Sequence, residues 1–219
     1  MAFDFSKYKK IQDELPAHVM ILPVSKTKPV QDLLEAYDNG IKQFGENYVQ
    51  ELVGKAEVMP KDIQWHFIGH LQSNKVKYIA PFVKMIHGVD SLSLLKEIGK
   101  QARKNNRIIE VLLQFHIAQE ETKFGWSLDD IDQIKMELKD NVEPLVVIRG
   151  VMGMASFVDD TTVIRKEFGQ LKKCFDGLKS QMSAQFDVIS MGMSGDWPIA
   201  VEEGSTLIRL GSVLFGTRN

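Results

Sequence analysis

The chain has 219 residues, of which 44% are hydrophobic and 26% are charged, which is ordinary for a globular protein with a sizeable core. Its 27 basic and 29 acidic residues give a formal net charge of −2, so no general electrostatic attraction draws it to nucleic acid or to an acidic membrane surface. The lone Cys174 excludes an internal disulfide, and neither a signal peptide nor an apolar run long enough to span a bilayer is visible, so we expect a soluble, cytoplasmic, single-domain protein over residues 1–219.

Short apolar runs alternate with amphipathic stretches along the whole chain. The apolar runs predict eight strands, at residues 18–25, 42–45, 63–68, 85–89, 107–117, 145–150, 187–191 and 206–210. The amphipathic stretches predict helices at residues 30–39, 48–58, 73–79, 91–105, 128–141, 161–182 and 197–203, with Gly177 as a candidate break. A short helical turn is expected near the C-terminal end.

This order of elements predicts the fold class. Continuous apolar strands separated by helices are typical of a parallel sheet that is covered on its outer face. Eight such units close naturally into a barrel, so we predict an α/β protein with a single (β/α)8 TIM barrel. An open doubly wound sheet is the alternative. Against it, no G-x-G-x-x-G follows the first strand, and no Walker lysine motif occurs in the sequence.

In such barrels the functional side chains follow the C-terminal ends of the strands. Lys26 follows the first strand directly, in the run from Ile21 to Pro29. A lysine at the end of a buried strand has two uses: it binds an anion as a point charge, or it loses its proton and attacks a carbonyl group.

Small residues follow the last two strands, from Ser190 to Gly195 and at Gly211 and Ser212. They allow backbone N–H groups to approach an anion closely, and barrels often bind phosphate after strands 7 and 8. A tight turn is the simpler interpretation of either segment alone. Because the two segments are neighbours in one barrel, they predict a phosphate-binding cup about as strongly as they predict two turns.

Arg209 lies on the last predicted strand, between Ile208 and Leu210. If these apolar neighbours face the helices, alternation along the strand turns Arg209 toward the barrel axis. A charge in that position requires a ligand or an acidic partner. A lysine on strand 1, a phosphate cup and an axial arginine together fit pyridoxal 5'-phosphate, with Lys26 as Schiff-base partner and Arg209 at the ring nitrogen. Arginine keeps its proton, so the ring would be a weaker electron sink.

At this point the sequence resembles the pyridoxal phosphate homeostasis proteins, a family related in fold to the N-terminal domain of alanine racemase. The resemblance runs from Leu22 to Arg218. It is carried by four separated motifs in the right order: residues 24–29, 44–51 and 65–75, and a C-terminal set from Ser190 to Ser194, Gly204 to Gly211 and Phe215 to Gly216. Residues 150–156 depart from the family's usual Gly-Leu-Met-Ala-hydrophobic-Pro pattern, and the loop after strand 5 matches mainly through Glu121, Lys123 and Gly125.

The resemblance implies an alanine racemase-like barrel that holds pyridoxal 5'-phosphate covalently on Lys26. It also implies cofactor contacts, which we assign to Asn47, His70, Ser190, Met193, Arg209, Gly211 and Ser212. Asn47 could otherwise simply cap the helix that follows it. His66 and His70 have the spacing of helical metal ligands, but they fall on a predicted strand and its turn, so we expect no metal site.

The function that this resemblance implies is intracellular pyridoxal phosphate homeostasis without catalytic turnover. Similar racemases receive a catalytic tyrosine from a further β domain, and this chain ends after strand 8. We therefore expect no catalytic residue and a monomer, with apo-enzymes that receive the cofactor as the candidate protein partners. Two alternatives stay open: a small pyridoxal phosphate-dependent amino-acid racemase, and a barrel in which Lys26 binds another phosphorylated ligand as a point charge.

Overall fold

A computed structural model describes residues 3–120 and 124–216. In these ranges eight parallel strands form one sheet, in the order β1-β8-β7-β6-β5-β4-β3-β2. The strands are β1 (Met20–Pro23), β2 (Gln43–Glu46), β3 (Gln64–Phe67), β4 (Met85–Val89), β5 (Ile109–Gln114), β6 (Val146–Met152), β7 (Val188–Ser190) and β8 (Leu207–Leu210).

Helices connect the strands and pack on the outside of the sheet, as parallel strands require. They are α1 (Phe5–Glu14), α2 (Val30–Asp38), α3 (Val49–Val58), α4 (Val76–Ile79), α5 (Leu92–Asn105), α6 (Ile131–Asn141), α7 (Thr161–Lys179), α8 (Trp197–Glu202) and α9 (Ser212–Phe215). Short 3-10 turns precede α4 and α6. None of the helices in the described ranges has both the length and the apolar character of a membrane span.

The sheet closes into a barrel at the seam between β1 and β2. There Val24 and Gly45 form a parallel bridge just beyond β1, and the Ser25 N–H donates to the Gly45 carbonyl oxygen at 3.0 Å. The predicted (β/α)8 barrel is therefore confirmed, and the open doubly wound sheet is wrong. The seam lies directly beside Lys26, so barrel closure and the position of this lysine depend on the same few residues.

Side chains inside the barrel alternate with those that face the helices. The inner apolar cluster consists of one residue from each of six strands: Leu22, Met85, Leu112, Met152, Val188 and Leu207. Ile208 and Leu210 belong instead to the larger core between the sheet and the helices. Because β8 alternates in this way, Arg209 faces the barrel interior on the same side as Leu207, as the sequence pattern predicts.

Three local features differ from the sequence-based prediction. Helix α1 was not predicted, although Asp4 is a good N-cap whose carboxylate accepts from the Lys7 N–H at 2.9 Å. Strand β6 runs from Val146 to Met152, two residues beyond its predicted end at Gly150. Helix α7 ends at Lys179 and is not broken at Gly177, because buried residues on both sides of this glycine hold it against the barrel.

Candidate functional site

A cavity of about 600 Å³ opens at the C-terminal edge of the barrel. Its lining contains six of the residues assigned to the site from sequence: Lys26, Asn47, Met193, Arg209, Gly211 and Ser212. They come from the segments after β1, β2, β7 and β8 and from β8 itself. The parallel barrel therefore brings together residues that are up to 186 positions apart, the interval between Lys26 and Ser212.

Lys26 lies in the turn between β1 and α2 and lines the cavity. Two residues further on, the Lys28 ammonium group donates to the carbonyl oxygens of Phe215 and Gly216, at 2.7 and 3.3 Å. These carbonyls lie at the C-terminal end of α9, where a cation is favourable. Lys28 thus ties the turn after β1 to the helix that follows β8, and both segments border the cavity.

Arg209 is buried in the barrel and reaches the cavity. Its guanidinium donates to the Ser190 carbonyl oxygen at 2.8 Å, to the Ser190 hydroxyl at 2.6 Å and to the Gly153 carbonyl oxygen at 3.1 Å. All three acceptors are uncharged. Burial lowers the pKa of Arg209 to about 10, while Asp196 raises it, so this side chain stays a cation near neutral pH. It places a positive charge at the cavity.

Ser190 is not in the cavity lining and instead holds Arg209. Its hydroxyl also lies 3.2 Å from His87 Nδ1, and His87 Nε2 lies 2.9 Å from His66 Nδ1. A guanidinium only donates, so the Ser190 hydroxyl accepts from Arg209 and can donate to His87, which in turn can donate to His66. A chain of four buried polar side chains therefore crosses the barrel interior and ends at the cavity.

The two histidines of this hydrogen-bonded chain, His66 and His87, are kept neutral by their surroundings. Burial lowers the pKa of His66 to about 3, with a further contribution from Lys84. Burial also lowers the pKa of His87 well below its usual value, and His66 and Arg209 add to the effect. Neutral imidazoles can donate and accept in sequence, so they orient Ser190 and Arg209 without adding charge to the interior.

The turns after β7 and β8 are hydrogen-bonded to each other. The Ser194 hydroxyl accepts from the backbone N–H groups of Gly211 and Val213 at 3.3 and 3.4 Å, and the Met193 N–H donates to Asp196 at 2.5 Å. Gly192 has a φ of +93°, and a side chain there would meet the Ala200 Cβ at 2.6 Å. This glycine is required for the close turn that brings Met193 and Ser194 to the cavity.

Asn47 lies in the cavity lining after β2, and its side-chain oxygen is buried without a hydrogen-bond partner among the described residues. The backbone of Asn47 is approached closely by Gly69, where a Cβ would lie 2.3 Å from the Asn47 carbonyl oxygen. The side-chain oxygen of Asn47 is a buried acceptor beside the cavity, without a partner among the described residues. Buried acceptors without a partner are uncommon in folded proteins.

His70 does not line the cavity. Its ring stacks on Phe124 at a centroid distance of 3.9 Å, and its Nδ1 lies 3.2 Å from the Asp90 carboxylate. His66, the other histidine of the predicted pair, points into the barrel and pairs with His87. The two histidines therefore have separate surroundings, as their positions on a strand and in its turn predict.

One side of the cavity was not anticipated from the sequence. It is formed by the segment after β6, which contributes Met154 and residues 156–159 to the lining. The Ser156 N–H and hydroxyl both donate to the buried Glu167 carboxylate on α7, at 2.7 Å each, and this leaves Phe157 exposed at the rim. Glu121 and Lys123, from the loop after β5, lie outside the described residues, as does Arg218.

This barrel belongs to a known structural class. The family model described as "Alanine racemase, N-terminal domain" matches residues 6–219. The alanine racemase of Streptomyces lavendulae superposes with a TM-score of 0.79 at 14% identity, covering 97% of this chain and 56% of that one. This likeness shows the fold alone.

More similar relatives narrow the class. A pyridoxal phosphate homeostasis protein of Aquifex aeolicus is 39% identical over 202 residues, which are 90% of this chain and 86% of that protein. The one from Synechocystis is 36% identical over 99% of both chains. The structure of PipY from Synechococcus elongatus with PLP bound superposes with a TM-score of 0.87 at 33% identity, covering 96% of this chain and 99% of that one. The chain therefore belongs to the pyridoxal phosphate homeostasis protein family.

Proposed function

We propose that this protein binds pyridoxal 5'-phosphate in the cavity at the C-terminal edge of the barrel, with Lys26 as the covalent attachment point, and that it stores and delivers the cofactor without turning over substrate. The observation that carries the proposal is the cavity lining, in which Lys26, Arg209, Gly211 and Ser212 come together. The PLP-bound PipY structure and the names of the relatives support it.

The residues of the cavity fit this cofactor. Lys26 offers an amine, Arg209 a buried cation held by neutral oxygens, and Asn47 a buried acceptor without a partner among the described residues. Gly211 and Ser212 form the turn that opens α9, where small residues allow an anionic phosphate to approach the backbone. A cation, a small-residue turn and a lysine in one cavity are the groups that a phosphorylated aldehyde requires.

When bound, pyridoxal phosphate supplies an aldehyde with which a lysine amine condenses reversibly, with loss of water. Lys26 would provide that amine. Arg209 donates its hydrogen bonds but keeps its proton, so it would leave a facing pyridine nitrogen unprotonated. The Ser190–His87–His66 chain fixes Arg209 in place and, because both imidazoles are neutral, does not supply a proton to it.

Storage is favoured over turnover by the side chains around the cavity. Similar racemases use a tyrosine as the acid or base opposite the lysine, and no tyrosine lies in the lining that the described residues form. Tyr48 is half exposed outside the cavity, the Tyr37 hydroxyl donates to Asp62, and Tyr8 packs against Phe3 and Phe5. These positions support a binding protein and leave a racemase with less support.

The domain extent, the cellular location, the oligomeric state and the protein partners can be proposed as well. We propose that the chain is one domain over residues 1–219, that it acts as a cytoplasmic monomer, and that it passes its cofactor to apo-enzymes. Analytical ultracentrifugation tests the monomer. Transfer from loaded protein to an apo-enzyme in the presence of a phosphatase that destroys free cofactor tests delivery, because released cofactor would then not reactivate the enzyme.

Incubation with pyridoxal phosphate, followed by borohydride reduction and mass analysis of peptides, tests the attachment point. We expect one adduct per chain, on Lys26, and a yellow protein before reduction. The Lys26→Ala variant should show neither, while Lys10→Ala, at an exposed lysine of α1, should behave as the unchanged protein. An adduct retained in Lys26→Ala, or measurable racemisation of alanine by the pure protein, would falsify the corresponding part of the proposal.

A further inference from the structure

The residues directly before and after Lys26, which are Ser25 and Thr27, are both held by hydrogen bonds. Ser25 is buried, its N–H donates to the Gly45 carbonyl oxygen at 3.0 Å, and its hydroxyl donates to the Glu46 carboxylate at 2.6 Å. The Thr27 N–H donates to the Glu51 carboxylate at 2.6 Å. Lys26 therefore lies between two anchored positions and reaches the cavity from there.

Thr27 has a φ of +64°, in the left-handed region. This conformation is rare for a β-branched residue and persists only when the surroundings enforce it. The Glu51 carboxylate, from the first turn of α3, supplies that enforcement by accepting the Thr27 N–H. Without it, the turn could relax to a more common conformation, and the direction of the Lys26 side chain would change.

Lys55 lies at the centre of these contacts. Its ammonium group donates to the Ser25 carbonyl oxygen at 2.7 Å, to Glu46 Oε1 at 2.7 Å and to Glu51 Oε1 at 2.6 Å. The three ammonium hydrogens are thus matched by three acceptors. The residue is 5% exposed, which is uncommon for a lysine unless it is paired. We call Ser25, Glu46, Glu51 and Lys55 the seam network.

The seam network lies on the outside of the barrel wall, between the strand ends and α3. Glu46 is two residues from Phe44, which packs in the core between the sheet and the helices, so both side chains face outward. Lys55 and Glu51 are on α3. The network therefore acts on the backbone around Lys26 and leaves the cavity itself to other residues.

We propose that Glu51 and Lys55 are positioning residues, which hold the turn around Lys26 so that its amine points into the cavity. This inference rests on the proposed function, because it concerns the lysine to which the cofactor attaches. The alternative is that the network only stabilises the packing of α3 on the barrel. The two roles differ in their consequences: positioning affects covalent attachment, whereas packing affects stability and all binding alike.

The main test uses Glu51→Ala. The Glu51 side chain is 23% exposed, and its removal leaves Lys55 paired with Glu46, so the protein should fold. Glu57→Ala is the matched control, since Glu57 is an exposed residue of the same helix. Glu51→Gln is the conservative variant, because its amide oxygen can still accept the Thr27 N–H.

Three quantities are measured for each variant: the rate of imine formation with pyridoxal phosphate across pH, the affinity for pyridoxamine 5'-phosphate, and the melting temperature of the unliganded protein. Pyridoxamine 5'-phosphate lacks the aldehyde and reports binding without attachment. We expect Glu51→Ala to slow imine formation by roughly ten- to a hundredfold, as a misdirected reactive group does. Affinity for pyridoxamine 5'-phosphate should be unchanged. Glu57→Ala should match the unchanged protein, and Glu51→Gln should recover most of the rate.

The outcomes separate the two proposals. An attachment rate in Glu51→Ala equal to that of the unchanged protein overturns the positioning role, as does an equal loss of attachment and of pyridoxamine 5'-phosphate affinity. If the unchanged protein forms no adduct on Lys26, the proposed function fails and the positioning role fails with it. An adduct on Lys26 whose formation does not depend on Glu51 leaves the proposed function intact and removes only the inference.

Discussion

Two networks of buried polar side chains flank the cavity, and they are built in opposite ways. The seam network lies outside the barrel wall, contains a buried ammonium and two carboxylates, and holds the backbone next to Lys26. The chain from His66 to Arg209 lies inside the barrel, contains two neutral imidazoles, and holds the Arg209 side chain. The seam network thus contacts the main chain on either side of Lys26, whereas Arg209 is held through hydrogen bonds that its own guanidinium group makes.

The difference follows from what surrounds each network. Inside the barrel an added charge would lie among apolar side chains of the inner cluster, so neutral histidines are the less costly link to Arg209. At the seam, opposite charges lie within hydrogen-bond distance of each other and can compensate the cost of burial. Burial still raises the pKa of Glu46, although Lys55 and Ser25 oppose this shift.

The largest expected effect is on stability, from Lys55→Met. The change leaves the fully buried Glu46 without its cation, and breaking a buried ion pair in this way costs about 3–5 kcal/mol. Urea unfolding at neutral pH measures it. Lys42→Met is the control, because the Lys42–Asp62 pair is exposed to solvent and its loss should change stability far less. Equal losses in the two variants would contradict a buried, paired Lys55.

The next effect is a pH dependence that originates inside the barrel. The folded-state pKa values of His66 and His87 are lowered, so the unfolded chain binds more protons below the usual value of 6.5. Their contribution to stability is present above pH 6.5 and is lost as the pH falls below this value, for His66 down to a pH of about 3. Each histidine adds a slope of up to about 1.4 kcal/mol per pH unit in this window.

His66→Asn tests this dependence, because its amide oxygen can still accept from His87 but cannot titrate. Between pH 7 and pH 5 the variant should lose about 2 kcal/mol less unfolding free energy than the unchanged protein. Unfolding in urea at both pH values gives the comparison, with the exposed His18→Asn as the control for the substitution itself. Identical losses in His66→Asn and the unchanged protein would show that His66 is not the titrating group.

In the seam network the pH dependence of stability has the opposite sign. The pKa of Glu46 is raised in the folded protein, so the contribution of Glu46 to stability falls as the pH rises through that pKa.

A smaller effect is expected from Ser190→Ala. This variant removes the hydroxyl acceptor of Arg209 and the link to His87, while the Ser190 carbonyl oxygen remains as an acceptor. The expected loss of unfolding free energy is about 1–2 kcal/mol. Ser183→Ala, at an exposed serine, should change stability by less than about 0.5 kcal/mol. If Ser190→Ala loses as little unfolding free energy as Ser183→Ala, the hydrogen-bonded chain from His66 through Ser190 does not hold Arg209.

The smallest effect is expected from Lys28→Met. Like Lys55, Lys28 ties the Lys26 turn to another element, but it is only partly buried and its acceptors are neutral carbonyls at the end of α9. We expect a loss of about 1 kcal/mol in chemical unfolding. A loss of unfolding free energy as large as that of Lys55→Met would mean that burial does not make the contacts of Lys55 more stabilising than those of Lys28.

Much of this structure follows from local patterns in the sequence. The eight strands and the helices between them were predicted because strand and helix periodicity depend on residues only a few positions apart. The inward direction of Arg209 follows from its apolar neighbours, Ile208 and Leu210. The missed helix α1 also carries a local signal, in Asp4 and the apolar spacing of Phe5, Tyr8 and Ile11.

Two of the residues assigned to the site do not line the cavity, and their positions depend on contacts between distant residues. Ser190 was assigned as a cofactor contact; it does not line the cavity, and its hydroxyl accepts a hydrogen bond from Arg209. His70 was assigned to the site, but it lies against Phe124 and Asp90. The strand that carries Ser190 and the turn that carries His70 were both predicted, but the direction of each side chain depends on its neighbours from other segments.

The sequence by itself determined the order of elements, the barrel, and which loops meet at its C-terminal edge, because alternation and amphipathicity are recorded within each segment. Only the tertiary structure decided what holds Lys26 and Arg209. Lys55 resembles an ordinary helix-surface partner of Glu51, yet it bonds to Ser25, 30 residues away, and His87 bonds to Ser190 across 103 residues. Contacts of this range leave no periodic trace in the chain, since they arise only when closure of the barrel brings distant strand ends and α3 together.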